Sequence, residues 1–317
     1  MDNNELKVNV TSKILETFFD AITRGIGALY EPTHIRRVAK AKADEKIIFA
    51  KAEIQVRDIL SAVQPLVGDT VPFEQLQPIV SRMVSQELRK KENIDEVVKV
   101  AYEDLSKTTS VPKEKADTDW LTRFFNIVEN VSDEELRNTW GKILSQEIQS
   151  PGSYSLRTLN TISNLSKKEA ELFSKLGDYI FDSSRNCFLL RNENDVFGVD
   201  ISYSDILQLM ECGLIKESHD LNLSYTSDKD NNKKCAFIYQ DLAIVIEMLK
   251  GQNLEIPNYE LTTAGSEVYK ILNVERNMPF LQNVANLIKQ DNVHLGYAKI
   301  TERGEDFINT EEDITYL

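Results

Sequence analysis

Between Trp120 and Leu176 the sequence carries more mutually consistent helix signals than anywhere else, and they leave little freedom in what this part can fold into. Ser132 with Glu135 and Ser166 with Glu169 have the spacing of capping boxes, in which a hydroxyl and a carboxylate satisfy free N–H groups at a helix start. Each opens a run whose apolar residues recur at three and four, and Pro151-Gly152 separates the runs. The first run points Leu136, Trp140, Ile143, Leu144 and Ile148 inward. A helix before it carries Trp120, Leu121, Phe124, Phe125 and Val128 on one face. A short helix with Leu156, Leu159 and Ile162 follows, then one from Lys167 towards Tyr179. Four helices with short connections predict a small bundle over 117–181. Every polar residue of its turn has a structural use: Glu147 and Arg157 can pair, and Ser153 or Ser155 can cap the helix near Leu156. The competing use is a partner-binding notch built from Trp140, Glu147, Ser155 and Arg157, with Arg157 gripping a carboxylate or phosphate.

The preceding part, 1–110, reads as helical rods. Ile14, Leu15, Phe18, Phe19, Ile22, Ile26 and Leu29 give an amphipathic helix that Glu31-Pro32 stops. From His34 to Val63 there is neither Pro nor Gly, and the Ala- and Lys-rich composition predicts a helix of about 45 Å. Its first half bears Arg36, Arg37, Lys40, Lys42, Lys46 and Lys51 against Asp44 and Glu45, either a solvated face or a contact for anionic surfaces. Pro78 sits early in a further helix, and Asp95 to Leu105 continues the helical texture. The polar tract from Ser106 to Asp119 reads as a linker and a domain boundary.

After Phe181 the texture changes, and 182–317 is read as a mixed α/β domain. The runs 187–190 and 196–199 predict a hairpin across an Asn-rich turn. Ser202 or Ser204 can cap a helix closed by Gly213. Leu221 to Tyr225 and a return strand over Cys235 to Ile246 form a second candidate hairpin. Tyr259 to Leu272 reads as a strand running into a Thr-capped helix, with an echo at Ala298 to Phe307. The expected class is mainly α in the N-terminal and central parts, with a C-terminal α/β module of winged-helix-like texture.

Charge and composition then exclude several functions. The net charge of −14 disfavours bulk nucleic-acid binding, and the acid excess lies after residue 117. Around the candidate recognition helix Asp205, Glu211 and Glu217 face only Lys216, a poor surface for a phosphate-lined groove. Cys187, Cys212 and Cys235 form no CxxC pair, which fits a reducing cytosol, and MDNNELKVNV lacks the pattern of a secretory leader. His34, His219 and His294 have no second ligand at i+3 or i+4, so neither metal nor cofactor is expected. No phosphate loop, G-x-S-x-G elbow or H-E-x-x-H is present.

The run Trp140-x-x-Ile143-Leu144-x-x-Glu147-x-x-x-Pro151-Gly152-x-x-Ser155-x-Arg157-Thr158-Leu159, preceded by Ser132 to Leu136, resembles the signature of an uncharacterised bacterial family, a domain of unknown function. Gly25 to Pro32 and the Ala-rich helix after it look like the N-terminal part of that family. The resemblance implies bacterial or phage-related genomes, some in defence settings, and no established chemistry. The expected function is that of a non-enzymatic cytosolic interaction or sensor protein. It would act through a protein partner, through self-association, or through peripheral membrane contact by residues 6–51. The alternative is a winged-helix DNA-binding regulator, and behind it a motif-less hydrolase or nuclease assembled from distant residues.

Overall fold

A computed structural model describes residues 3–27, 54–62, 73–108, 114–183, 186–192, 195–218, 221–288, 290–304, 307–311 and 313–317. The chain divides into two compact units, Met1–Leu156 and Arg157–Leu317. The first is helical and the second is built on an antiparallel sheet with helices, as the mainly α and α/β textures predict. The division falls inside the helical block read at 117–181, so that block is shared between the two units.

In the first unit α1 (Asn3–Ile26) buries Ile14, Phe18, Ala21 and Ile22, and packs against α3 (Thr118–Val128). Those residues of the apolar stripe are thereby buried inside the unit, while Leu15, Phe19 and Ile26 are half-buried. The helix textures around Pro78 and after Asp95 belong to one helix, α2 (Phe73–Leu105), about 50 Å long. Its C-terminal half buries Val97, Val98, Ala101 and Leu105 and packs on α4 (Glu134–Gln149). The polar tract after Ser106 is thus flanked by helices that pack within one unit. Its end is pinned: Arg24 donates to the Ala116 carbonyl and to Thr118 Oγ1, both at 2.9 Å. Between α2 and α4, the buried Ser145 hydroxyl donates to Asp104 at 2.6 Å. The helix expected over 34–63 lies outside the described residues except for 54–62, which is helical.

Two caps differ in an instructive way. Ser166 forms the predicted capping box with Glu169 at the start of α6 (Lys167–Leu176). At α4 the cap is Asp133 rather than Ser132; its carboxylate accepts from Leu136 N–H at 3.0 Å. A carboxylate at the N-cap also meets the positive end of the helix dipole, so the aspartate one residue later takes the position.

In the second unit the described strands form one ten-stranded antiparallel sheet. The strands are β1 (Ile180–Asp182), β2 (Cys187–Asn192), β3 (Asp195–Val196), β4 (Asn222–Thr226), β5 (Lys233–Tyr239), β6 (Leu242–Met248), β7 (Asn253–Glu260), β8 (Val293–Arg303), β9 (Ile308–Thr310) and β10 (Thr315–Tyr316). Their order is β10-β8-β6-β5-β1-β2-β7-β4, with β3 beside β2 and β9 beside β8. The helices are α5 (Leu156–Asn164), α6, α7 (Tyr203–Glu211), α8 (Thr263–Tyr269) and α9 (Met278–Ile288). Phe280, Leu281, Val284, Ala285 and Ile288 of α9 join Phe181, Phe188, Phe237, Ile244, Ile246 and Leu295 in one core. Ser202 caps α7 and Thr262 caps α8, as the sequence predicts.

Three strand expectations need correcting. Cys235 to Ile246 is not one return strand but the hairpin β5–β6, turning at Gln240-Asp241 with Gln240 at φ 55°. Its partner is not β4, which pairs with β7 through the register Asn222↔Pro257 to Thr226↔Asn253. The echo at Ala298 to Phe307 starts no helix among the described residues: β8 runs on to Arg303 and β9 folds back onto it. Alternation of apolar residues predicts strands well and partner choice poorly, because pairing depends on residues far along the chain.

The close approach of α2 to α4 is set at Gly141, where an added Cβ would lie 2.5 Å from Val100 Cβ. Gly141→Ala would gain about 1 kcal/mol of helix propensity and lose about 1–3 kcal/mol to overpacking. A net loss of stability is expected in urea unfolding, and a gain would show that the helices separate at no cost.

Candidate functional site

The signature residues converge on the turn after α4. Glu147 is 1 % exposed, and its two carboxylate oxygens accept from Gly152 N–H at 2.7 Å and Tyr154 N–H at 3.0 Å. Gly152 has φ 86°, a conformation that glycine adopts without strain. The Tyr154 carbonyl accepts from the Trp120 indole at 2.7 Å, and its hydroxyl is hydrogen-bonded to Gln146. Trp120 stacks on Phe124 at 5.1 Å, and Phe124 meets Trp140 edge to face at 5.6 Å. Glutamate, glycine and both tryptophans thus close one clamp that holds α3, α4 and the turn together.

The candidate notch residues are placed unevenly. Trp140 and Glu147 are buried in the first unit, Ser155 is half-buried directly before α5, and Arg157 is exposed in the first turn of α5. Ser153 is not a cap of α5; its hydroxyl donates to the Ser150 carbonyl at 2.6 Å. Thr158, the neighbour of Arg157, is buried and donates to Glu267 at 2.5 Å. Arg36, Arg37, Lys40 and Lys42 lie outside the described residues.

A second feature was not singled out by any motif. In the second unit a cleft of about 440 Å³ opens between α9 and strands β6, β8 and β10. Ala285, Ile288, Val293, Leu295 and Leu317 line it with apolar surface, while Gln282 and Asn286 expose their amides one helical turn apart. Glu247, His294 and Tyr316 supply its charged and phenolic edge. Lys234, Glu247 and His294 stand in register across β5, β6 and β8. The Lys234 ammonium beside Glu247 holds that carboxyl below its ordinary value, and the Tyr316 hydroxyl adds to the effect. Glu247 in turn raises Lys234 and Tyr316. These residues are spread from Lys234 to Tyr316, and the sequence signal is polar side chains at alternate positions of otherwise apolar strands.

The cysteines are poor nucleophiles. Burial pushes Cys187 and Cys235 up to about 11 and raises Cys212 as well. Among the described residues no three His, Cys, Asp or Glu side chains are grouped to hold a metal ion, and no helix is long and apolar enough to cross a membrane.

The sequence profile of a family described as a protein of unknown function, DUF2806, matches residues 77–285. No curated protein and no solved structure matches the chain.

Removing the clamp carboxylate with Glu147→Ala is expected to cost about 2–4 kcal/mol in urea unfolding, since two buried N–H groups lose a charged acceptor. Arg157→Ala, at an exposed position, should stay within about 0.5 kcal/mol of the parent. In the cleft, the depressed Glu247 value means that its ion pair contributes above the ordinary carboxyl range and is lost as pH falls through the folded value. Lys234→Met should therefore move the Glu247 titration upward in NMR, and an unmoved titration would show that Lys234 does not act on it.

Proposed function

The chain belongs to the DUF2806 family of proteins of unknown function, and we propose that it is a non-enzymatic interaction protein whose second unit takes a segment of a protein partner in the α9 cleft. The observation that carries this reading is the make-up of the cleft: an apolar floor beside two exposed amides that can both donate and accept. Such a combination suits a peptide, whose side chains need apolar burial and whose backbone needs hydrogen bonds. The ion pair of Lys234 with Glu247 at the rim would orient the partner more than it would bind it. Cytosolic action fits the free cysteines. Contact with a membrane surface through residues 6–51 would fall to the basic stretch, because Ile14, Phe18, Ala21 and Ile22 of α1 are buried in their own unit.

The winged-helix-like reading of the C-terminal part rests on Ser202-capped α7, the bridge between Ile215 and Leu261, and Thr262-capped α8. DNA recognition through that element is the less supported alternative. Lys216, which follows α7, lies 2.9 Å from Glu260, and Asp205 is engaged in the cap of α7. Engaged charges contribute little to phosphate binding.

The test is a photo-crosslinking residue at Asn286 in cells. It is expected to capture a discrete partner, and Gln282→Ala with Asn286→Ala should weaken binding of that partner at least about tenfold. Capture of the same products from Leu287, on the outward face of α9, would contradict the reading.

A further inference from the structure

The two edges of the sheet are built differently. At one edge β8 is flanked by the short strands β9 and β10, and a register shift falls between Ile300 and Glu302. Lys299, Glu302, Arg303 and Glu311 stand exposed along it. Short strands, irregular register and charge are what keep an edge from recruiting another strand. At the other edge β4 is a regular strand, Asn222-Leu-Ser-Tyr-Thr226, in unbroken register with β7. It has no charged residue, no proline and no bulge.

The direction of its backbone groups follows from its neighbours. The Leu221 carbonyl accepts from Asn258 N–H, and Ser227 N–H donates to the Gln252 carbonyl, both at 2.9 Å. Residues 221, 223, 225 and 227 therefore turn their backbone groups towards β7, and Asn222, Ser224 and Thr226 turn theirs outward. Lys233 Nζ donates to the Thr226 carbonyl at 3.0 Å, which uses one of its two lone pairs. The side chains sort in the same way. Leu223 and Tyr225 pack partly buried against the core, while Asn222, Ser224 and Thr226 are exposed.

We propose that β4 is a dimerisation edge, to which a second copy of this chain adds antiparallel about a two-fold axis through Ser224. A symmetric pair of this kind sets Ser224 against itself and Asn222 against Thr226 of the other copy. A charged residue at position 224 would face its own copy, and Ser224 there is neutral. Its cross-strand pairs are instead Ser with Ser and Asn with Thr, which hydrogen-bond to one another. A chain with net charge −14 repels its own copy over most of its surface, and a strand whose own side chains are all uncharged, with the Lys233 ammonium at its Thr226 end, is where approach costs least. Pairing adds backbone hydrogen bonds across the axis and joins the two sheets into one. An interface of one short strand predicts a dissociation constant on the order of micromolar.

Light scattering on the full chain should give a mass of twice 36.2 kDa at high concentration, falling to one copy on dilution. Ser224→Lys keeps an exposed position exposed and sets like charges face to face. It should raise the dissociation constant at least about tenfold while leaving the unfolding midpoint unchanged at concentrations below the dissociation constant, where both proteins are monomers. Opposed residues in a hydrogen-bonded pair have Cα atoms about 5.5 Å apart, within disulfide range. Ser224→Cys should therefore oxidise to a covalent dimer, and Thr226→Cys should not. A single-copy mass at every concentration would overturn the proposal. So would a dimer unaffected by Ser224→Lys, or equal cross-linking at 224 and 226.

Discussion

Two hydrogen bonds to the buried carboxylate of Glu147, from the N–H groups of Gly152 and Tyr154, hold the turn on which the first unit closes. Burying a carboxylate costs several kcal/mol unless charged hydrogen bonds replace its water, so this residue could not occupy the site without the turn. The turn needs the carboxylate in return, because its N–H groups are themselves removed from water. Once it is fixed, the Tyr154 carbonyl stands where the Trp120 indole can reach it, and α3 is tied to the end of α4. Trp140 and Phe124 then fill the space between those helices. Of the residues that resemble a site, Trp140 and Glu147 are accordingly taken up in a clamp, while Arg157 stays exposed.

The helical half was largely legible because its signals are local. Caps at Ser166, Ser202 and Thr262 need only a hydroxyl and the next turn of chain, and all three formed. The shift from Ser132 to Asp133 at α4 reflects two adjacent residues that can both cap, between which the helix dipole decides. The strands were legible as extended segments but not as partners. Nothing near Leu221 to Tyr225 announces that its neighbour is Asn253–Glu260 rather than the strand that follows it. The polar tract after Ser106 shows the same limit. Its composition is that of a linker, yet Arg24, some ninety residues earlier, binds its end. Of the candidate site, Trp140 and Glu147 were legible as one motif, whereas the cleft joins Glu247, Gln282, His294 and Tyr316 only through the sheet.

In the second unit, charge is distributed so that the apolar surfaces stay distinct from the polar ones. The Lys234, Glu247 and His294 row lies on strands whose alternate residues belong to the core behind α9. One strand therefore supplies both a packed interior and an ionic rim, which a helix of the same length does less economically. The cleft opens beside β10, and the regular strand β4 lies at the opposite end of the strand order. The two proposed recognition surfaces thus use separate strands and can be altered independently.

The structural role of the Glu147 clamp is most directly tested by native-state hydrogen exchange at the amides of Gly152 and Tyr154. If the carboxylate holds the turn, both amides exchange only as slowly as the core of α4 and together with it, in spite of lying in a turn. Exchange of either amide at the rate of an open loop would mean that the turn is not clamped, and that Glu147 and its neighbours are free for another purpose.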